Sequence, residues 1–384
     1  MDKREKIISL FGRYDNGKFS AKNRFLRSAT WLAGSDEKNG AMSFAEISRT
    51  AEVAAGGAGT VITGAAYVSA DGKFGIRQWG LHDDSRIEDV RKLSEAAHRQ
   101  DSKLIVQLAH SGGQRDASII DDTAIIAPSE TVHRGRTYSS KAMTEDDIKR
   151  VIADFVSAAL RAKSGGADGV EIHGGHGFLF TQFLSPITNM RTDRYGGTLE
   201  NRARILREAV REVKKAVGDN FPVWAKISIS EGIEKGYGEE DGLAAAKLLL
   251  DDGIDGIEVS NGTIYSDALH MPSLVGVSAG ESEAPSMEYA ASLKKYAKSG
   301  QVIILTGGIR SLSTMADLIF EEKCDLLGMS RPFNAEPDLI NRWAEEDSRP
   351  SACLSCNACF NTAAKGIIDC PIIRDRNEGF WDPL

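Results

Sequence analysis

Two histidines three residues apart, His173 and His176, are the residues whose types and spacing most strongly suggest chemistry. They follow a short apolar strand predicted over 169–172, and the glycines around them favour a turn over a helix. The polar segment that continues to Arg202 is rich in Arg, Asp, Asn and Tyr. Because scaffolds often present active sites on ordered loops at strand ends, this pattern indicates function. The alternative is a structural pair of histidines with satisfied hydrogen bonds.

Further polar or small residues stand where other predicted strands end. Gln107 and Lys226 each belong to such a strand end, and TGGIR and SRP follow the last two strands. These two segments offer the amides of Gly307 and Gly308, a helix N-terminus and Arg331, which together predict a phosphate clamp. Helix-capping glycines are the alternative for either segment alone. The histidine pair, Lys226 and Gln107 could hold a planar heterocycle that carries a phosphate.

The elements that must position these residues repeat along the chain. GGAGTVITGA (56–65), GGADGVEIHGG (165–175) and DGIDGIEVSNG (252–262) each combine a helix end, a glycine turn and a buried strand. Continuous apolar strands alternating with amphipathic helices indicate βα units around a parallel sheet. Strands are predicted at 24–29, 60–65, 103–109, 168–173, 223–229, 255–260, 301–306 and 325–329. Helices are predicted near 43–56, 86–101, 144–165, 199–217, 239–253, 286–298, 311–322 and 335–346.

Eight βα units predict an α/β fold of the (β/α)8 TIM-barrel type over residues 1–346. A doubly wound sheet is the alternative, but it needs a glycine-rich phosphate turn after the first strand, and RSATWLAG is not one. The loop at 111–143 is long for a βα connection, so we expect a capping hairpin over the barrel mouth. Residues 347–384 form a short C-terminal cysteine-rich tail.

Composition narrows the class of protein. A net charge of -8 and a pI near 5.5 argue against nucleic acid as the main partner. The charged N-terminus is unlike a signal peptide, and no run approaches the roughly 18–20 apolar residues of a membrane span. We therefore expect a soluble, cytoplasmic protein without a membrane or nucleic-acid partner. Barrels of this kind commonly self-associate, so a homo-oligomer is also expected.

The cysteines are unevenly distributed. Cys324 stands alone in an apolar segment and is expected in the core. Cys353, Cys356, Cys359 and Cys370 have the spacing C-x2-C-x2-C-x10-C. In a reducing compartment this compact run indicates a metal or cluster site and not a disulfide framework.

The segment HGGHGFLFTQFLSPITNMRTDRYGGTLENR resembles the signature of the Old Yellow Enzyme family of FMN-dependent ene-reductases. KNRFLRSAT (22–30), IVQLAHSGGQ (105–114) and the glycine–arginine clamp also match that family, and the resemblance covers about residues 5–346. It implies a barrel that binds FMN, takes electrons from NAD(P)H and reduces activated C=C bonds.

The resemblance also assigns roles by position. It implies a flavin lined by Ala29, Thr30, Ala65 and Gln107. Lys226 would lie at the N1/C2 carbonyl edge of the ring, and Gly307, Gly308, Ser330 and Arg331 would hold the phosphate. His173 and His176 would donate hydrogen bonds to the carbonyl oxygen of an α,β-unsaturated substrate, which polarises the alkene for hydride transfer from flavin N5.

Three positions depart from the family pattern. Phe178 occupies the place of the usual proton-donating tyrosine, so the proton would come from water or from another residue such as Tyr67 or Tyr265. Trp31 stands where relatives have the Cys or Thr that tunes the flavin. Lys226 replaces the arginine of many members, which keeps the charge but loses the planar fork. The flavin site is therefore expected to be intact, whereas ordinary enone reduction is a less direct expectation.

The cysteine tail resembles the [4Fe–4S] segment that follows the barrel in 2,4-dienoyl-CoA reductase and trimethylamine dehydrogenase, although its x10 gap is slightly shorter. Zinc or a metal-free remnant are the alternatives. Those relatives continue into a second flavin- and nucleotide-binding domain, which we do not expect in a chain of 384 residues. A separate redox protein would then supply electrons, unless the cluster only braces the tail.

Other functions fit the same residues. The scaffold could catalyse a different flavin reaction, such as amine demethylation or NADH oxidation, or serve as the electron-transfer subunit of a complex. A flavin-free barrel lyase could use the phosphate clamp to hold a phosphorylated substrate.

Overall fold

The computed structural model of the protein describes residues 2–116, 119, 124–130, 140–264, 266 and 271–374. Eight parallel strands form its centre, and each overlaps a predicted segment. They are β1 (Phe25–Arg27), β2 (Thr60–Ile62), β3 (Lys103–Ala109), β4 (Gly169–Gly174), β5 (Val223–Ser228), β6 (Gly256–Ser260), β7 (Val302–Thr306) and β8 (Leu326–Met329).

The strands close into a ring. Each pairs in parallel with the next, and β8 returns to β1, where Leu327 lies opposite Phe25. The predicted TIM barrel is therefore confirmed, and the doubly wound alternative is wrong because such a sheet is open.

Helices surround the barrel in the predicted order. They are α1 (Phe44–Ala55), α2 (Ile87–His98), α3 (Glu145–Ser164), α4 (Arg204–Val217), α5 (Glu239–Asp251), α6 (Met287–Tyr296), α7 (Leu312–Phe320) and α8 (Leu339–Ala344). In α4 the buried residues recur every three or four positions from Ile205 to Val217, so one apolar stripe faces the strands. Separate short helices, Leu199–Arg202 and Arg331–Ala335, precede α4 and α8.

The amino-terminal end of the barrel is closed by an apolar layer that we call the floor. The antiparallel strands Tyr14–Asp15 and Ser20–Ala21 follow an N-terminal helix, Lys3–Phe11, and place Phe19 under the barrel. The ring of Phe19 contacts that of Trp224 edge-on, with 4.8 Å between centroids. The buried floor residues are Tyr14, Phe19, Ala21, Leu26, Ile62, Ile105, Trp224, Val302, Ile304 and Leu326.

The long loop at 111–143 differs from the prediction where it is described. Its short strands Ile126–Ala127 and Lys141–Ala142 pair in parallel, so the described part forms no antiparallel hairpin. Residues 117–118, 120–123 and 131–139 lie outside the described part. The guanidinium of Arg191 holds the loop by donating to the carbonyls of Pro128 and Met143, at 2.8 and 2.5 Å.

The tail returns to the barrel mouth after α8. It contains the 3-10 helix Ala358–Lys365 and the short helix Pro371–Arg374. Its backbone amide at Ile368 donates to Leu32 after β1, and that at Ser351 donates to Arg310 after β7. The tail is therefore bound to two loops of the barrel mouth, while its boundary with the barrel near residue 346 stays a prediction.

Remaining short elements are the strand Ala66–Tyr67, the helix Leu179–Leu184 and 3-10 turns at Ala70–Gly72, Asp84–Arg86 and Gly112–Gln114. Among the described residues, no helix combines the length and apolar character that crossing a membrane requires.

Candidate active site

A cavity of about 370 Å³ opens at the carboxyl ends of the strands, within the size range of small-molecule sites. Thirteen of the residues singled out for the cofactor and substrate site line it. They are Ala29, Thr30, Trp31, Ala65, Gln107, His173, His176, Phe178, Lys226, Gly307, Gly308, Ser330 and Arg331. Tyr67 does not line this cavity, and Tyr265 lies outside the described residues.

The two histidines stand side by side, with ring centroids 5.1 Å apart. His173 ends β4 and is buried, and its Nδ1 has no hydrogen-bond partner among the described residues. Burial, helped by the charge of Lys226, lowers the pKa of His173 to about 3. The pKa of His176 is also held well below its usual value by burial and by His173. Both rings are therefore neutral near pH 7, and each can donate one hydrogen bond.

His176 is held in an unusual backbone conformation. Its φ of 61° lies in the left-handed region, which costs free energy for a residue other than glycine. Its amide donates to Ser228 Oγ at 2.9 Å, and its Nε2 lies 2.8 Å from Ser260 Oγ. These bonds fix the ring over the cavity.

Lys226 and Gln107 line the cavity and are hydrogen-bonded to buried groups beneath it. Lys226 Nζ donates to Ser28 Oγ at 2.8 Å and to Glu258 Oε1 at 3.0 Å. Gln107 Nε2 donates to Glu171 Oε1 at 2.6 Å. Because its Nε2 is bound to Glu171, Gln107 presents its carbonyl oxygen as an acceptor for a ligand.

The predicted phosphate clamp is only partly arranged as expected. Gly307 and Gly308 have φ values of 98° and 72°, and neither amide donates to a described residue. The N-terminus of α7 is already occupied, because Glu283 accepts the amide of Ser311 at 2.7 Å. Arg331 donates to the carbonyl of Leu274 and to Asn357 Oδ1, at 2.7 and 2.6 Å. The amides of Gly307 and Gly308 and the guanidinium of Arg331 thus remain available at the predicted clamp, whereas the N-terminus of α7 does not.

Aromatic rings form one wall of the cavity. Trp31 contacts Phe74, Phe74 contacts Phe178 and Phe178 contacts His173, with centroids 5.0–5.4 Å apart. Phe74 was not singled out in the sequence, because it lies in a loop without periodic pattern. The wall carries no phenolic hydroxyl where the family tyrosine would stand.

Tyr67 is a correction to the sequence-based expectation. Its buried ring stacks on His82 with centroids 4.8 Å apart, and its hydroxyl packs against Gly40, where an added Cβ would lie 2.2 Å away. Burial raises the pKa of Tyr67 to about 12. It is therefore neither at the cavity nor a ready proton donor.

The polar segment after the histidines mainly holds the backbone. Asn189 Nδ2 donates to the carbonyls of Phe183 and Tyr195, and Arg202 donates to that of Leu184 and to Asp241. Only the first residues of this segment are therefore candidates for catalysis, and the rest of it is structural.

The tail contributes directly to the cavity. Cys359, Phe360 and Ile368 line it, and Trp31 and Leu32 pack with Cys359 and Ile368 in a small apolar cluster. The four tail cysteines line a second cavity of about 20 Å³ together with Arg331 and Asn357. Among the described residues, however, no group of three or more His, Cys, Asp or Glu side chains is arranged to hold a metal ion.

Several buried groups around the site were missed in the sequence. They are Glu171, Glu258, Ser260 and Arg310. A signal was available for two of them, since a lone acid interrupts the apolar strands GVEIH and GIEVS. The acids reach the site only because their side chains point into the barrel, and the pattern of residues along a strand does not predict that direction.

The barrel and its mouth define a flavin-dependent TIM-barrel oxidoreductase. Residues 9–349 match the model of the NADH:flavin oxidoreductase / NADH oxidase family, and the chain belongs to that family. The predicted resemblance to Old Yellow Enzymes is confirmed, and the protein is an NAD(P)H:flavin oxidoreductase.

Two relatives differ in length. The chain is 35% identical over 328 residues to an NADPH dehydrogenase of Halalkalibacterium halodurans, covering 85% of this chain and 91% of the relative. It is 33% identical to an NADH oxidase of Thermoanaerobacter brockii over 91% of this chain but 53% of that protein. The chain thus spans about half the length of the second relative.

Solved structures divide in the same way. A 2-naphthoyl-CoA reductase complex with 2-naphthoyl-CoA has a TM-score of 0.88 and 28% identity over 98% of this chain and 58% of that chain. A histamine dehydrogenase from Rhizobium sp. 4-9 has a TM-score of 0.83 and 27% identity, over 95% of this chain and 52% of that chain. An Old Yellow Enzyme homologue from Zymomonas mobilis has a TM-score of 0.72 and 25% identity, over 88% of this chain and 93% of that chain. Since 98% coverage reaches past residue 349, the first neighbour also matches the tail.

Proposed function

We propose that this protein binds FMN and reduces the C=C bond of an α,β-unsaturated carbonyl compound with electrons from NAD(P)H. The observation that carries the proposal is the pair of neutral histidines on the same cavity as Gln107, Lys226 and the free glycine amides. Bound FMN would supply hydride chemistry.

The residues present fit such a cofactor. The unpaired amides of Gly307 and Gly308 and the guanidinium of Arg331 are donors for a phosphate. Lys226 would face the carbonyl edge of a flavin ring, and the oxygen of Gln107 would accept from its N–H. A Cβ at Gly308 would lie 2.9 Å from Pro285, so a larger residue there would strain this end of the cavity.

His173 and His176 act on the substrate as neutral hydrogen-bond donors. They hold the carbonyl oxygen and stabilise the negative charge that develops on it during the reaction. Because its pKa is about 3, His173 stays neutral between pH 5 and 8. The depressed pKa of His176 likewise favours its neutral form.

The proton for the α-carbon is expected from water. Phe178 has no exchangeable proton, and Tyr67 lies away from the cavity. In the variant Phe178→Tyr we expect faster formation of saturated product, since a positioned acid contributes roughly 10²–10⁴-fold where proton transfer limits the rate. An unchanged rate under single-turnover conditions would contradict a protonation-limited reaction.

The direct test is FMN content and cyclohexenone reduction in the purified protein. We expect bound FMN, NAD(P)H-dependent reduction, and a loss of roughly 10²–10³-fold in kcat/KM in His173→Ala. FMN content should stay unchanged in this variant, which separates substrate activation from cofactor loss. A colourless protein that takes up no FMN would contradict the proposal and favour the barrel lyase.

A second flavin reaction is favoured by the aromatic wall and by two of the relatives. Trp31 and Phe178 replace residues that ordinary ene-reductases use, and similar proteins are named NADH oxidase and histamine dehydrogenase. Flavin reduction by a panel of amines, but not reoxidation by enones, would support amine oxidation. Rapid reoxidation by oxygen alone would support NADH oxidation.

We also propose that Cys353, Cys356, Cys359 and Cys370 hold a [4Fe–4S] cluster. The four thiols have the chemistry of cluster ligands and line one small cavity beside Arg331, although among the described residues they are not gathered in a metal-binding arrangement. The tail is also matched in a larger structural neighbour. Iron and acid-labile sulfide on protein purified without oxygen are expected at about four each per chain. Zinc alone, or no metal, would contradict the cluster.

If the cluster is present, a separate redox protein is the expected electron donor. Cys356→Ser should then abolish flavin reduction by a reduced ferredoxin-type donor while leaving reduction by dithionite intact. An unchanged rate with the protein donor would mean that the cluster only braces the tail.

A further inference from the structure

Two glutamates lie buried inside the barrel, one layer beneath the cavity. Glu171 is in the middle of β4 and Glu258 in the middle of β6, and both are fully buried. Neither lines the cavity, but each is bonded to residues that do, namely Gln107, Ser28 and Lys226.

Each of the two carboxyl groups is only partly hydrogen-bonded. Glu171 Oε1 accepts from Gln107 at 2.6 Å, and Glu258 Oε1 accepts from Ser28 at 2.5 Å and from Lys226 at 3.0 Å. The second oxygen of each carboxyl has no donor among the described residues. Both acids border β5, on which Trp224 lies opposite Glu171 and Lys226 lies opposite Glu258. Each carboxyl group also changes the pKa of the other.

Charge balance also indicates that only one of the two glutamates is ionised. The ionisable groups that face the pair are Lys226 on β5 and His173 on β4, and His173 is neutral near pH 7. One ammonium can balance one carboxylate, and a second buried negative charge would be unpaired. Burial and the charge of Glu258 raise the pKa of Glu171. Burial also acts to raise the pKa of Glu258, but Lys226 and the hydrogen bonds from Glu171 and Ser28 together outweigh it and lower that pKa.

We propose that Glu171 and Glu258 share one proton, carried by Glu171 and donated to Glu258, so that the pair neutralises Lys226 beneath the flavin site. One proton completes the hydrogen bonding of both orphaned oxygens. Both acids are positioning residues: Glu171 orients the amide of Gln107, and Glu258 sets how much positive charge Lys226 presents. This last consequence rests on the proposed FMN site, whereas the shared proton does not.

The proton can be observed without flavin. Infrared spectra of the full-length, flavin-free protein in H₂O and D₂O should contain the carbonyl stretch of a protonated carboxylic acid, and Glu171→Gln should remove it. Glu258→Gln should remove it as well, because Glu171 then ionises to balance Lys226. The exposed Glu88→Gln is the matched control and should leave the band in place. A band that survives in either single variant would overturn the proposal.

The midpoint potential of bound FMN gives a second readout. Each single variant keeps one carboxylate opposite Lys226, so its potential should stay close to that of the wild-type protein. Only Glu171→Gln/Glu258→Gln leaves Lys226 unbalanced, which should shift the potential upward. A single variant that shifts it as far as the double variant would contradict a shared charge. If the protein does not bind FMN at all, the proposed function is contradicted. The infrared spectra of the flavin-free protein still test whether the two glutamates share a proton.

Discussion

The two ends of one barrel differ sharply although the same strands build them. On β3, Ile105 belongs to the floor and Gln107, two residues later, lines the cavity at the mouth. On β5, Trp224 and Lys226 are related in the same way. The floor is hydrocarbon and aromatic surface, and the indole Nε1 of Trp224 has no partner among the described residues. Residues lining the cavity at the mouth carry buried polar atoms that also lack partners among the described residues, which are His173 Nδ1, Asn334 Oδ1 and Arg310 Nε.

This difference indicates that the two ends of the barrel have different roles. Close packing of apolar groups at the floor stabilises the fold, whereas unpaired donors and acceptors at the mouth cost stability and are available to a ligand. Substitutions at the floor should therefore change stability first, and substitutions at the mouth should change binding and activity first.

The largest expected effect is at the floor. Trp224→Ala removes a fully buried ring that packs on Phe19, so we expect the free energy of unfolding to fall by about 3–5 kcal/mol. Urea unfolding of the flavin-free protein measures it. Trp31→Ala at the mouth is the matched control and should cost less than half as much, since Trp31 is only partly buried. Equal losses would remove the distinction between the two ends.

The second effect is a pH dependence that originates at the mouth. Unfolded histidines titrate near pH 6.5, whereas folded His173 titrates near 3 and His176 well below 6.5. Below pH 6.5 the unfolded chain therefore binds more protons, and stability falls as the pH falls, by up to about 1.4 kcal/mol per pH unit for each histidine.

Comparing the wild-type protein with His173→Gln/His176→Gln isolates this contribution. The double variant should lose less stability between pH 6.5 and 4.5. The two proteins are compared first at pH 7.5, where the histidines are neutral in both states. Parallel losses on acidification would show that the histidines are not buried as neutral rings.

A smaller effect concerns the contact between tail and mouth. Asn357→Gly removes the acceptor of Arg331 but permits the left-handed φ of 60° at that position. Losing a hydrogen bond to a charged group costs about 1.5 kcal/mol, so FMN should bind roughly tenfold more weakly. Isothermal titration with FMN measures this. Glu322→Gly, at another left-handed position on the surface, is the control for added chain flexibility and should bind FMN normally.

The smallest effect is expected at Ser260. Ser260→Ala removes the hydroxyl beside His176 Nε2, which should raise the KM for an enone about fivefold, corresponding to about 1 kcal/mol. Ser260→Thr keeps the hydroxyl and should behave like the wild-type protein. A KM unchanged in Ser260→Ala would mean that the backbone alone orients His176.

Much of this arrangement could be predicted because its signals are local. The eight strands were recognisable as short apolar runs after glycine turns, and twelve of the thirteen cavity residues stand at their ends. Phe178 was singled out only by the family resemblance. A parallel barrel brings strand ends to one face, so position along a strand is enough to assign a residue to the mouth.

The remaining features depend on direction and on distant contacts. Tyr67 follows β2 near the mouth, as expected, but its ring turns outward onto His82. The parallel pairing of Ile126–Ala127 with Lys141–Ala142 likewise replaced the expected hairpin. Neither outcome has a signature in periodicity, because one depends on side-chain orientation and the other on how a long loop is held.

The amino-acid sequence by itself determined the barrel, the histidine pair and the family, since these follow from short-range patterns of apolar residues, glycines and strand ends. Only the tertiary structure brought Glu171 and Glu258 to the two sides of β5 and Arg331 to Asn357 in the tail. These partners are 87 and 26 residues apart in sequence, and only the pairing of β4 and β6 with β5 and the return of the tail bring them together.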